Sequence, residues 1–564
     1  MESLVLAGMI VFLIVLIMGK EYLNSRSFRK QSLERVYQDY GKIPERTYRA
    51  EELEHIQKYY CRHPAENQID DITWNDLNLD DIYQKVNASC SAAGDEYLYY
   101  RLRTPFFDQS EAGKWENLIT YFTEHEADRR SVQGQFYSLG RMGRYSLYEY
   151  IDNLNILGER KNIRYILSNL AMLACIAAMF VSLPAGIAAL MIVLCHNIIG
   201  YFREYKEIEP YITSFRYINR LLDAAEQMGK KKISGISEEQ ERLLSCHHKM
   251  KGFIRNAYLI AYVEKGNGNP LGILLDYVRM IFYLDLIQFN NALRAVRGHL
   301  DEIDEMVTLI GRIETAVVIG SYRESLQGAY CVPVMEFGEG VDRHILIEDL
   351  YHPLLQDPVK NSIDTKKGVL LTGSNASGKS TFLRAVALNA VMAQTIHTCP
   401  ASRYEAPVFR ICSSMSLKDD LISGDSYYMV EIKSIKRILD LAKRAGEAHQ
   451  CVLCFVDEVL RGTNTVERIA ASTQIMRMLA AENVLCFAAT HDVELTRLLE
   501  KEYANYHFEE RIEEDDVFFP YTLMPGPAVT RNAIALLKVL GYDKRIILEA
   551  ETMAERFLSE GIWQ

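Results

Sequence analysis

The segment Gly373-Ser374-Asn375-Ala376-Ser377-Gly378-Lys379-Ser380-Thr381 constrains the fold of this chain more than any other. It follows the apolar run Gly368–Thr372 and precedes Phe382-Leu-Arg-Ala-Val-Ala-Leu. Strand, glycine-rich loop and helix in that order form the context in which such a loop cradles phosphate groups. The glycines let backbone N–H groups converge on anionic oxygens, and the helix N-terminus adds the positive end of its dipole. Lys379 suits the β- and γ-phosphates, and the Ser380 hydroxyl suits Mg2+. The expected ligand is ATP with Mg2+, and the expected chemistry is hydrolysis. Short strand-like runs at 331–334, 344–347, 368–371, 451–456 and 484–489 alternate with helical stretches at 380–396, 427–445 and 466–481. This predicts a C-terminal α/β P-loop domain with a mainly parallel sheet.

Two further strands end in polar residues. Cys451-Val-Leu-Cys-Phe-Val-Asp457-Glu458 is an apolar strand closed by two carboxylates, about 80 residues beyond the loop. Asp457 suits the Mg2+ shell, and Glu458 suits a role in orienting or deprotonating the attacking water. Val484-Leu-Cys-Phe-Ala-Ala-Thr490-His491-Asp492 is expected to neighbour that strand, bringing His491 within reach of the γ-phosphate or the water. Between the phosphate loop and the first of these strands, Ser423-Gly424-Asp425-Ser426 opens a helix, an anion-binding arrangement.

The net charge of −12 argues against a protein dominated by a nucleic-acid field, while leaving room for a local basic face. Eleven cysteines lie scattered without a framework, as in a reducing compartment. Cys451 and Cys454 read as opposite sides of a buried strand rather than a redox pair.

Three segments read as membrane-spanning helices. Ser3 to Gly19 carries no charge, and its basic flank (Lys20, Arg26, Arg29, Lys30) follows it, which favours an anchor over a signal peptide. Tyr165 to Phe202 is also free of charge and has Leu183-Pro184-Ala185-Gly186 at its middle. It reads as two short spans joined by a Pro/Gly turn. Arg160, Lys161, Arg164, Arg203 and Lys206 flank the hairpin, so the positive-inside rule puts the soluble mass in the cytoplasm beneath a multi-pass membrane segment. Leu271 to Asn290 is interrupted by Asp276, Arg279 and Asp285 and reads as a packed amphipathic helix. The expected divisions are an anchor at 1–20, a helical or linking segment at 21–72 and a helical region at 73–164. The transmembrane hairpin follows at 165–202, a helical lever region at 203–335 and the ATPase domain at 336–564.

Gly373–Thr381, Ser423–Glu431, Asp457–Asn464 and Ala489–Thr496 together resemble the ATPase domain of the MutS family, in that family's order and spacing. Phe519–Gly526 through Gly541 is similar to its C-terminal strand and helix. More weakly, Asp81–Asn87 and Gly94–Pro105 are similar to the start of its helical core, and Leu300–Ser325 resembles its lever helix. The resemblance implies an ABC-superfamily ATPase acting as a homodimer with composite ATP sites. It implies that Asn375 lies near the γ-phosphate, that Ser426 acts in trans, that His491 is a switch residue and that Tyr521 stacks on adenine. It also implies DNA as a partner in a mismatch-repair-related role. Two departures bear on this. The family's mismatch-reading domain is not expected here, and Gly134-Gln135-Phe136 is only a superficial echo of its Phe-x-Glu motif, lacking the Glu. Leu460 stands where the family has a glycine. The expected function is a membrane-anchored ATPase that clamps DNA. The alternative is a membrane ATPase that moves transmembrane helices, its own or a partner's, without binding DNA.

Overall fold

The computed structural model describes residues 30–560, except 144, 263–276, 339, 375–376, 416–426, 461–463, 514–515 and most of 529–540. The chain forms two compact units.

The first unit comprises Met1–His63, Asn87–Tyr100 and Asn117–Tyr322, and its regular elements are all helices among the described residues. Three of its helices matter here: α1 (Ile163–Ala178), α2 (Leu183–Gly229) and α3 (Leu300–Ser325). α3 has the bounds expected of the lever helix. Its face built from Ile303, Met306, Ile310 and Ile313 is fully buried, as 3–4 spacing of apolar residues requires. Glu314 on the same helix reaches the N-terminus of the helix Ala92–Arg103, where it accepts N–H bonds from Cys90 (2.6 Å) and Ser91 (3.0 Å) and the Ser91 hydroxyl bond. An anion there completes unpaired amides and faces the positive helix end. Phe136 lies in the helix Glu126–Leu139 with its ring in the core, so the segment around Gly134 is a packing face.

The membrane expectations need correction. The first span, Ser3 to Gly19, lies outside the described residues. α1 has 16 residues, fewer than the ~20 that a spanning helix needs. α2 alone, among the described residues, is long and apolar enough to cross a membrane, so a multi-pass arrangement of three spans is not supported. The turn also lies elsewhere: residues 179–182 make it, and Leu183-Pro184-Ala185-Gly186 opens α2. Proline is favoured in the first helical turn, because its missing N–H would have no partner there. α2 runs 47 residues in all, continuing well past the apolar stretch, and contains Pro210. Near the hairpin base, Ser168 bonds Asn197 (2.6 Å), Asn169 bonds the carbonyl of Phe282 (2.8 Å) and Asn197 that of Ile281 (3.0 Å). The expected helix over Leu271–Asn290 is broken at Tyr283 (φ +55°) and restarts as Leu284–Arg297.

The second unit comprises Pro64–Val86, Arg101–Glu116 and Arg323–Gln564, so the expected helical region 73–164 contributes to both units. Its α/β part contains β1 (Val334–Glu336), β2 (Ile345–Leu350), β3 (Asn361–Thr365), β4 (Gly368–Thr372), α4 (Lys379–Ile396), β5 (Arg403–Pro407) and β6 (Phe409–Ser414). Then follow α5 (Tyr427–Glu447), β7 (Cys451–Asp457), α6 (Thr465–Met478), β8 (Val484–Ala489), α7 (Val493–Leu498), β9 (Tyr503–His507), β10 (Arg511–Glu513), β11 (Asp516–Phe518), β12 (Met524–Pro525) and α8 (Lys544–Glu560). The main sheet has the order β12-β9-β4-β8-β7-β6, parallel except for β12. A second sheet has the order β1-β5-β2-β3. Strands β4 and β8 are buried along their whole length, as parallel strands covered on both faces require. The upstream segment 64–86 belongs to this unit because it covers the edge strand β6. Asp76 accepts from Ser413 Oγ (2.7 Å) and from the Met415 N–H (2.9 Å), and Thr73 Oγ1 accepts the Ser413 N–H (3.1 Å).

The far end of α4 is pinned by a charged cluster. Arg323 donates two bonds to Glu116 (both 2.7 Å) and one to the carbonyl of His397 (2.7 Å), and His397 Nδ1 bonds Glu116 (2.8 Å). His397 follows α4 with φ +55°, so Arg323 meets a carbonyl that the helix cannot satisfy.

Candidate functional site

The loop after β4 turns with Gly373 at φ +142°, and a Cβ there would lie 2.4 Å from the carbonyl oxygen of Phe508. Gly378, at φ +108°, ends the loop and caps α4. Both conformations suit glycine alone. Lys379, the first residue of α4, donates to the carbonyls of Gly373 and Ser374 (2.7 Å each), holding an ammonium at the centre of the loop. Ser377 Oγ is buried with no partner among the described residues. Thr381 lines the same cavity. Asn375 and Ala376 lie outside the described residues.

The sheet order brings the other groups in. β8 pairs with both β4 and β7, so the ends of these three strands form one rim. Ser380 Oγ donates to Asp457 Oδ2 (2.5 Å). His491 Nε2 lies 2.9 Å from Glu458 Oε1, pairing an imidazole with the carboxylate expected to act on water. Glu458 sits at φ +59° with its N–H bonded to the carbonyl of Ala489 (2.9 Å). Asp492 is held by two bonds from Arg468 (2.6 and 2.9 Å), which fixes the turn carrying His491. Lys379, Ser380, Asp457, Glu458, His491 and Tyr521 all line one cavity of about 450 Å3, within the range of small-molecule sites.

Tyr521 is half-exposed at the rim, stacked on Phe519 (5.9 Å, 18°) and close to Gly378. That leaves a ring face for a planar group. Asn361 fixes this segment, donating to the carbonyl of Tyr521 (3.0 Å) and accepting the Leu523 N–H (2.7 Å). Sequence reasoning missed Asn361, and also His352 and Glu510. His352 lines the cavity, and burial, then Arg384 and Lys85, lower its pKa to about 4, so it is neutral at pH 7. Glu510 accepts from Ser374 Oγ (2.6 Å). The one signal for His352 was a polar Tyr351-His352-Pro353 run directly after a strand.

The position where the resemblance notes a missing glycine is in the left-handed region: Leu460 has φ +62°. Its N–H donates to Glu431 Oε1 (2.5 Å), so a buried carboxylate on α5 grips the loop that follows Glu458. Ser426, expected to act from a second copy, lies outside the described residues.

Mg2+ suits this site. Ser380 and Asp457 present hard oxygens, and two protein ligands suffice for a cation that completes its shell with phosphate and water. No group of three or more metal-ligating His, Cys, Asp or Glu side chains occurs among the described residues.

Residues 369–558 match the family model of MutS domain V. The chain is similar to the DNA mismatch repair protein MutS of Methanothrix thermoacetophila, with 30% identity over 273 residues, covering 46% of this chain and 30% of that protein. It is likewise similar to the DNA mismatch repair protein MutS of Thermus thermophilus, with 34% identity over 186 residues, covering 33% of this chain and 22% of that protein. The matches thus span about a third or less of the length of these relatives.

Proposed function

The chain belongs to the MutS family through its C-terminal domain, and from that premise we propose that it is an ATP hydrolase whose turnover gates DNA binding beneath a membrane. One observation carries the enzymatic part: Lys379, the Ser380–Asp457 pair and the Glu458–His491 pair face a single cavity. On ATP binding, Lys379 exchanges the loop carbonyls for phosphate oxygens, and Ser377 gains a partner. Ser380 and Asp457 hold Mg2+, which neutralises phosphate charge when bound. Glu458 orients the attacking water and accepts its proton, while His491 fixes the carboxylate. Tyr521 stacks on the base. Ser426 from a second copy closes each site, which makes the homodimer the active form. Glu458→Gln is expected to bind ATP normally and to hydrolyse it about 100-fold more slowly or worse. Wild-type turnover in that variant would remove Glu458 from the mechanism.

Membrane attachment is supported by the exposed apolar hairpin of α1 and α2 and by its basic flanks, with the ATPase domain in the cytoplasm. DNA binding rests on the family alone, and mismatch recognition is not carried over. The unbroken course of α2 from the hairpin into the helical unit favours a second reading, in which the ATPase moves the hairpin and binds no DNA. Duplex DNA binding by the purified protein, measured across a salt series with and without ATP, separates the two. A DNA clamp loses affinity steeply as salt rises. Absence of binding at low salt leaves only the second reading.

A further inference from the structure

The α1–α2 hairpin exposes a continuous apolar surface with an unusual tip. Phe180 and Val181 are 90% and 91% exposed, and Leu170, Leu173, Leu183, Met191 and Ile192 continue the surface along both arms. Apolar area on this scale needs a partner. The choice of partner follows from charge and length. No ionisable acid or base other than His196 and the weakly acidic Tyr and Cys side chains occurs from Tyr165 to Phe202, whereas Lys161, Arg164, Arg203 and Lys206 are exposed at the base. The ring pairs Tyr165–Tyr283 (4.9 Å) and Tyr201–Tyr205 (5.4 Å) cluster at the base too. Lysine, arginine and tyrosine at one end of an apolar element match one headgroup layer.

A hairpin that crossed the bilayer would carry a second such belt at its tip. Here the tip reads Met179-Phe-Val-Ser-Leu-Pro184. For α1, length points the same way. The 16 residues of α1 rise about 24 Å, short of the ~30 Å hydrocarbon core. Measured from the polar bonds at Asn169 and Asn197, the free arms extend only about 14 Å and 21 Å. The turn is also built for a dry setting. Met179, Phe180, Val181 and Ser182 each donate their N–H to a carbonyl within the preceding turn (3.0–3.2 Å), and Pro184 has no N–H. At Gly186 the arms touch, since a Cβ there would lie 2.7 Å from the Met179 backbone, the close approach typical of helices packed in lipid.

We propose that this hairpin enters the bilayer from the side of its base and ends within the hydrocarbon, without emerging on the far side. The inference rests on the membrane attachment proposed above and replaces two crossings with none. The test uses the full chain in sealed vesicles of phosphatidylcholine and phosphatidylglycerol. Phe180→Trp is read by quenching with lipids brominated at different acyl depths. Ser182→Cys is read, against the parent chain, by a membrane-impermeant maleimide applied to each face. The expected result is strongest quenching by the deepest bromines and no modification of Cys at 182 from either face. Modification from the face opposite the ATPase domain would show a crossing hairpin and overturn the proposal, leaving attachment intact. Modification from the same face, with no quenching at any depth, would overturn the attachment of the hairpin as well.

Discussion

Removing one negative charge at the far end of α4 should weaken the α/β unit by a predictable amount. Burial pushes the Glu116 carboxyl up, but hydrogen bonds from Arg323 and His397 outweigh it and take its pKa from 4.5 down to about 2. At ~1.36 kcal/mol for each tenfold change in acidity, that lowering corresponds to about 3 kcal/mol at neutral pH. The side chain is 22% exposed, so solvent screening takes little from that figure. Because the folded-state pKa is depressed, the contribution is complete above about pH 4.5 and disappears as pH falls towards 2. At pH 3, about 1.4 kcal/mol remains. Glu116→Gln abolishes the charge. It should lower the unfolding midpoint of this unit on the order of 5–10 °C at pH 7, with a much smaller gap at pH 3. Tryptophan fluorescence is a suitable assay, because Trp115 and Trp74 are both buried in this unit. An unchanged midpoint at pH 7, or an equal gap at both pH values, would refute the reasoning.

Three further outcomes follow from the geometry. Gly94→Ala places a Cβ 2.5 Å from the buried Glu314 carboxyl, so despite its better helix propensity it should destabilise the helical unit by about 1–3 kcal/mol, read by circular dichroism during heating. Leu460→Gly and Leu460→Ala both lose the buried side chain, but only glycine relieves the left-handed backbone. The glycine variant should therefore be the more stable by about 1 kcal/mol in urea unfolding, and the reverse order would contradict the strain. In a nucleotide titration, Glu458→Gln should retain ATP affinity while losing turnover, whereas Lys379→Met should lose both.

The phosphate loop and the flanking strands were legible because their signals are local. An apolar run, glycines with positive φ and a helix start all fall within a dozen residues. The strand ends at Asp457 and His491 were legible for the same reason, and the neighbouring of β8 and β7 followed from parallel topology. What sequence did not reveal comes from segments distant in the chain. Residues 64–86 cover the edge of β6 through Thr73 and Asp76, contacts that no periodicity announces. His352, just after β2, and Asn361, which opens β3, are single polar residues of the smaller sheet, and only the fold brings them to the cavity. Leu460 was visible as a departure from a family pattern, but its meaning lay in a backbone angle. Pro184 was misplaced because proline punctuates both turns and first helical turns, and the pattern alone does not choose between them.

Pro210 gives α2 a mechanical consequence. Proline inside a helix removes one backbone bond and crowds the preceding turn, so bending concentrates there. The hairpin end of α2 lies 27 residues away, about 40 Å along the axis. A change of about 20° at that joint would sweep the end through about 14 Å, more than the width of a helix. The helix is thus a long arm with a defined fulcrum, and a small adjustment among the helices packed beyond Pro210 becomes a displacement large enough to rearrange whatever surrounds the apolar end.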